Sequence, residues 1–250
     1  MKVTILGCGP SYGVPSLTRG FDAVDPKEEK NIRTRTALLV QEGENDVLFD
    51  TGPEIRQQLL KAGSPTIDAV CYTHVHYDHI AGAEDVHSYA RIRDHHVDVY
   101  ATRHDMCELR KQMPYVFAPK ALAAMQLHYI SFYKPFRVDN LVMVPILQHH
   151  GKDISVGYRI GDFAYCTDVK SLDPEGWKVL KGIKIWVLGC VTVNENPKHL
   201  HLAEALEWIK RIKPEHTYLT HLGSKMDYQT IKKQLPPNVS LCYDGLQFTV

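Results

Sequence analysis

The sequence predicts a layered α/β protein in which sheets are packed inside helices. Short runs rich in β-branched and aromatic residues recur from end to end, each bounded by Gly, Pro, Asp or Asn. Between them lie segments with helical spacing, and in the later part of the chain helix and strand alternate.

The predicted strands, in order, are "VTIL", "TALLV", "DVLFD", "DAVCYT", "VDVYAT", "LVMVPIL", "SVGYRI", "FAYCT", "IKIWVLG", "HTYLT" and "VSLCYDG". "TALLVQEGENDVLFD" reads as a hairpin turning at residues 43–46. "PEIRQQLLKAG" carries Pro at its start and Gly after its end, the usual helix punctuation. "TRHDMCELRKQM" and "LAEALEWIKRI" also have helical spacing, the latter with Leu202, Leu206 and Ile209 on one face. The polar stretch "DAVDPKEEKNIRTRT" reads as a loop within one domain spanning residues 1–250. The chain shows no repeat, low-complexity tract or linker.

The composition is that of a soluble globular chain. Lys+Arg and Asp+Glu are both 29, a balance that opposes general nucleic-acid binding. The six cysteines form no C-x-x-C pair, and Cys8, Cys71, Cys166 and Cys190 lie in apolar runs. Free buried thiols in a reducing cytoplasm are therefore expected. The apolar run in "MKVTILGCGP" is too short for a signal peptide, and no stretch suits a membrane span.

Histidine is the outlier, with 14 residues. "YTHVHYDHIAG" packs His74, His76, Asp78 and His79 directly after the apolar strand "DAVC". In an extended segment residues two apart point the same way, so His74 and His76 can grip one ion together. Asp78 and His79 lie beyond the bend and can face a second position. Imidazole and carboxylate suit zinc, manganese or iron.

This H-x-H-x-D-H stretch resembles the signature of the metallo-β-lactamase superfamily of metallo-hydrolases. "LFDTGPEIRQQL" resembles its strand ending in an Asp-x-Gly turn, and "QHHG", "YCTDV" and "YLTHLG" follow in the order of its remaining metal motifs. The resemblance covers nearly the whole chain. It implies a four-layer αββα sandwich with two divalent ions, zinc or manganese, at one edge of the sheets. Carried over by motif, His74, His76 and His150 would hold one ion; Asp78, His79 and His221 would hold the other. Asp168 would bridge both, and Asp50 would orient the ligand loop. His149 competes with His150, which is preferred because it directly precedes the glycine.

"LGCGPSYGVP", "NIRTRTALLV" and "YDGLQF" resemble the PhnP-like group, which contains a phosphoribosyl cyclic-phosphate phosphodiesterase. In "PKHLHLAEALEWI", His199 matches a histidine placed near the leaving group. The glycine-rich loop could meet phosphate through its amides, but a tight turn is the reading its residues favour, and Arg33 and Arg35 could meet phosphate or pair with carboxylates. The cysteine cluster that holds an additional structural zinc in some members is absent from the sequence.

The resemblance implies a phosphodiesterase acting on a small phosphodiester, cyclic or nucleotide-like. A metal-bridging hydroxide would attack phosphorus, with Asp78 and Asp168 at the metals and His199 as general acid. The rivals are a thioester or lactone hydrolase of the glyoxalase type, an RNase Z-like nuclease and an iron-dependent redox enzyme. The expected partner is a small phosphorylated substrate, with no membrane, and with the state of assembly open between monomer and homodimer.

Overall fold

The computed structural model describes residues 1–63, 66–93, 95–117 and 124–250. Two mixed sheets lie face to face. The first has seven strands: β1 (Lys2–Gly7), β2 (Ala37–Glu42), β3 (Asn45–Phe49), β4 (Ala69–Cys71), β5 (Val97–Thr102), β6 (Met125–Ile130) and, along the free side of β1, β15 (Gln247–Thr249). The second has eight: β7 (Phe136–Val138), β8 (Leu141–His150), β9 (Asp153–Ile160), β10 (Phe163–Cys166), β11 (Ser171–Leu172), β12 (Ile185–Gly189), β13 (His216–Thr220) and β14 (Val239–Leu241).

Period-two alternation decides which side chains meet between the sheets. Leu38, Val40, Val47 and Phe49 point inward to a core shared with Val156, Tyr158 and Tyr165. Their neighbours Leu39 and Leu48 point outward. That outer face is covered by α1 (Ile55–Lys61), α3 (Ala83–Arg93), α4 (Arg103–Gln112) and α5 (Pro114–Phe117), with α2 (Tyr77–Ile80) among them. The outer face of the second sheet carries α6 (Pro174–Val179), α7 (Leu202–Ile212) and α8 (Tyr228–Lys232), where Trp177, Trp186 and Trp208 pack together. This is the expected αββα sandwich.

The predicted strand runs all lie on strands, with small shifts. The hairpin turns on Gly43 and Glu44 alone, because Glu42 already pairs with Asn45. Helix α1 is capped at Glu54, so Pro53 lies just outside it. Asp78 and His79 sit in the short α2, not in a loop. Strands β6, β7, β11 and β15 have no counterpart in the sequence reading. All six cysteines are free, and Cys107 is exposed. No helix among the described residues is long and apolar enough to cross a membrane.

Two features bring the site to one edge. β3 and β4 run parallel in the first sheet, and β10, β12 and β13 run parallel in the second, so their C-terminal ends emerge together. Second, β9 reaches across: Val156 N donates to Thr73 O at 2.8 Å, and Tyr158 Oη to Tyr72 O at 2.6 Å. The chain is thereby pinned just before His74.

Phe49 is fully buried and meets Tyr158 and Tyr165 edge-on across the sheets, with centroids 5.1 and 5.7 Å away. Phe49→Ala should destabilise the fold by about 3–5 kcal/mol, read from urea unfolding; a loss under about 1 kcal/mol would mean that the sheets re-pack freely.

Candidate metal centre

Asp50, Asp168 and His221 each follow the end of a parallel strand, and each takes a left-handed backbone, with φ of 63°, 51° and 58°. Such conformations cost non-glycine residues free energy and cluster at functional sites. The chain turns sharply at each strand end and aims the side chain into one pocket.

Asp168 lies at the centre. Its Oδ2 is 3.3 Å from His79 Nε2, and its Oδ1 is 3.3 Å from His221 Nε2, 3.8 Å from His150 Nε2 and 3.6 Å from His199 Nδ1. Asp78 Oδ2 is 3.2 Å from His79 Nε2. His74, His76 and His150 place their donor atoms within 4.8 Å of one another, as do His74, His79 and Asp168. All seven candidate ligands are thus gathered, and His199 joins them. His149 is exposed on the other face of β8, while His150 is buried and turned inward.

The imidazoles share one pattern. His79 Nδ1 donates to Asp50 Oδ2 at 2.7 Å, and His150 Nδ1 to the Lys198 carbonyl at 3.0 Å. His74 Nδ1 donates to Thr73 Oγ1 at 3.0 Å, because the Thr73 hydroxyl proton is committed to Asp50. His221 Nδ1 donates to Thr36 Oγ1 at 3.1 Å, because the Thr36 hydroxyl gives its proton to Gly9 O. The Nε2 atoms of His79, His150 and His221 are left facing Asp168, and that of His74 meets His76 Nδ1 at 2.9 Å. Thr36, Thr73 and the Lys198 carbonyl were not singled out from the sequence; the one visible signal was a threonine next to His74.

Electrostatics favour a cation. Burial raises carboxyl groups, yet the surrounding imidazoles, His221 and His79 foremost, hold Asp168 well below the usual carboxylate range. Burial pushes the imidazoles of His74 and His221 down. For His79 burial acts downward, but Asp50, Asp168 and Asp78 outweigh it and raise the imidazole. Among buried side-chain atoms, His79 Nε2 and His221 Nε2 have no hydrogen-bond partner. Orphaned imidazole nitrogens beside ionised carboxylates suit divalent metal ions, so the residues present fit such a group.

The alternatives open for the two arginines and the glycine-rich loop resolve toward pairing within the fold. Arg33 is 1% exposed and donates to the carbonyls of Lys30, Leu222, Gly223 and Met226 and to Asn31 Oδ1. It holds the segment after His221 and is closed to substrate. Arg35 is paired with Glu54. In the glycine-rich loop the amides of Cys8, Gly9 and Gly13 are consumed by Asp244 Oδ1, Thr34 O and Pro10 O. Gly9 is required by close approach instead: a Cβ there would lie 2.7 Å from Arg33 O.

The chain matches the beta-lactamase superfamily domain over residues 45–222. It belongs to that superfamily of metal-dependent hydrolases and is PhnP-like. A solved diphosphatase of the PhnP family is 30% identical, with a TM-score of 0.92 over 100% of this chain and 97% of the other. A protein of Porphyromonas gingivalis named octanoyltransferase is 31% identical across 99% of this chain; the chain spans 51% of that relative's length. The human short-form tRNase Z shares the fold, with 16% identity and a TM-score of 0.72 over 100% of this chain and 99% of that one.

Metal content tests the donor assignment. A binuclear centre with the expected donors predicts that His150→Ala loses one of two bound ions per chain and His149→Ala keeps both, by elemental analysis after reconstitution. The reverse outcome would exchange the two histidines.

Proposed function

We propose that the protein is a binuclear metal-dependent hydrolase of small phosphodiesters, cyclic or nucleotide-like, or of diphosphate linkages. The observation that carries this reading is the single buried carboxylate of Asp168 with His79, His150, His199 and His221 all within 3.8 Å. The likeness to a PhnP-family diphosphatase supports phosphorus as the reacting atom.

His74, His76 and His150 would hold one ion, Asp78, His79 and His221 the other, and Asp168 both. Zinc or manganese ions supply Lewis acidity and a water acidic enough to ionise near neutral pH. The chain's own part is to hold the donors rigid. Thr167 Oγ1 donates to Asp168 Oδ2 at 2.7 Å and fixes the carboxylate plane. His199 is stacked on His221 with centroids 5.1 Å apart, and stands edge-on to His150 at 4.5 Å. From there its imidazole reaches the leaving-group side of a bound phosphoryl group. Burial, only partly offset by Asp168, holds His199 down at about 3. Its proton therefore depends on the negative charge that a bound phosphate brings.

A second reading, thioester hydrolysis at the same centre, draws on the Porphyromonas gingivalis relative named octanoyltransferase. One screen separates the two: manganese- and zinc-loaded protein against linear and cyclic phosphodiesters, diphosphate diesters, thioesters and lactones. Phosphorus substrates should give the highest kcat/KM, and Asp168→Ala should abolish their turnover with the fold intact. Fastest turnover on an octanoyl thioester would overturn the phosphodiesterase reading in favour of the second.

His199→Ala should keep its metals and lose about 10²–10⁴-fold in rate on diesters with alkoxide leaving groups. It should lose much less on nitrophenyl diesters, whose leaving group departs unprotonated. Equal losses on both would make His199 a phosphate-binding residue.

A further inference from the structure

Glu204 lies outside the donor cluster, yet it ties together the segments that carry it. It sits in the first turn of α7 and accepts from the His201 backbone N–H at 3.1 Å, as the acidic residue of a capping box does. A helix cap would need no more. The same carboxylate also accepts from His201 Nδ1 at 2.7 Å and from Lys170 Nζ at 2.6 and 2.8 Å.

These contacts lead to three parts of the centre. Lys170 stands two residues after Asp168, and its backbone N–H donates to His149 O at 2.7 Å, beside His150. His201 stands two residues after His199. Leu200 N donates to Val169 O at 3.0 Å, so the two segments also run along each other. Residues 196–201 supply the Lys198 carbonyl that accepts from His150 Nδ1. The Lys198 stem lies across Gly151, whose φ is +66° and where a Cβ would come 2.8 Å from Lys198 Cγ. The turn after β8 is thus fitted to that segment.

We propose that Glu204 and Lys170 form a positioning pair. It sets residues 196–201 against Asp168, and so fixes both the carbonyl that orients His150 and the location of His199. The proposal rests on the cluster being a metal centre. The two side chains are 32% and 27% exposed, so their pairing adds little to global stability and its effect is local.

Lys170→Met removes the ion pair and leaves the helix cap intact. Its Tm should stay within about 2 °C of wild type. Its zinc affinity, measured by chelator competition, should fall about 10–100-fold for the ion held by His150. Its kcat should fall more than KM changes, and more on alkoxide diesters than on nitrophenyl diesters. Lys170→Arg should hold zinc affinity within about tenfold and above that of Lys170→Met, since a guanidinium keeps the charge and its fork can meet both carboxylate oxygens. Glu204→Gln should match Lys170→Met; if it fails to fold, Lys170→Met decides alone. Wild-type zinc affinity in Lys170→Met would overturn the proposal and make Glu204 a helix cap only. A wild-type protein that binds no zinc or manganese would instead sink the metal-centre reading, and the positioning pair with it.

Discussion

The ligand loop depends on one buried carboxylate. Asp50 is fully buried at the exit of β3, and it accepts from Thr73 N, from the Thr73 hydroxyl and from His79 Nδ1. A buried carboxylate costs several kcal/mol unless its lone pairs are met. Meeting them forces the chain after β4 to fold back over Asp50. That path turns His79 inward, orients His74 through Thr73, and carries Asp78 to the pocket. The second sheet completes the constraint, since β9 holds Tyr72 and Thr73 from the opposite side.

The same device recurs around the pocket. His221 is oriented by Thr36 and the Gly9 carbonyl, and the backbone beyond it is held by three hydrogen bonds from Arg33. His150 is oriented by a carbonyl from a distant loop. His74, His79, His150 and His221 each have a protein partner on the far side, so much of the pocket is organised by hydrogen bonds that lie outside it. Left-handed turns at Asp50, Asp168 and His221 show what this arrangement costs the backbone. Glycine would take those turns without strain, but it could not supply a carboxylate or an imidazole.

Long-range partners explain where reading the sequence fell short. A phosphate role stays open for Arg33 and the glycine-rich loop in the sequence because their donors are visible there and their acceptors are not. The acceptors of Arg33 include carbonyls at Leu222, Gly223 and Met226, which lie 189, 190 and 193 residues away. The Cys8 amide is taken by Asp244, which also accepts from Thr34. Strands β7, β11 and β15 are short and pair at sheet margins, so their identity comes from a neighbour rather than from a pattern of their own. The turn at Gly43 was legible because a hairpin is local.

The sequence by itself determined the layered α/β class, the eleven strand runs and the contiguous His74–His76–Asp78–His79 stretch. These depend on period-two alternation and on spacings of a few residues. It also ordered His150, Asp168, His199 and His221 as candidates through short motifs. Only the tertiary structure decided that parallel strand ends from two sheets bring them to one pocket, and that His150 rather than His149 faces it. It alone assigned Arg33, Thr36, Asp50 and Thr73 their partners. The reason is physical: a buried donor's role is set by whichever acceptor the fold brings within about 3 Å, and no local pattern encodes that distance.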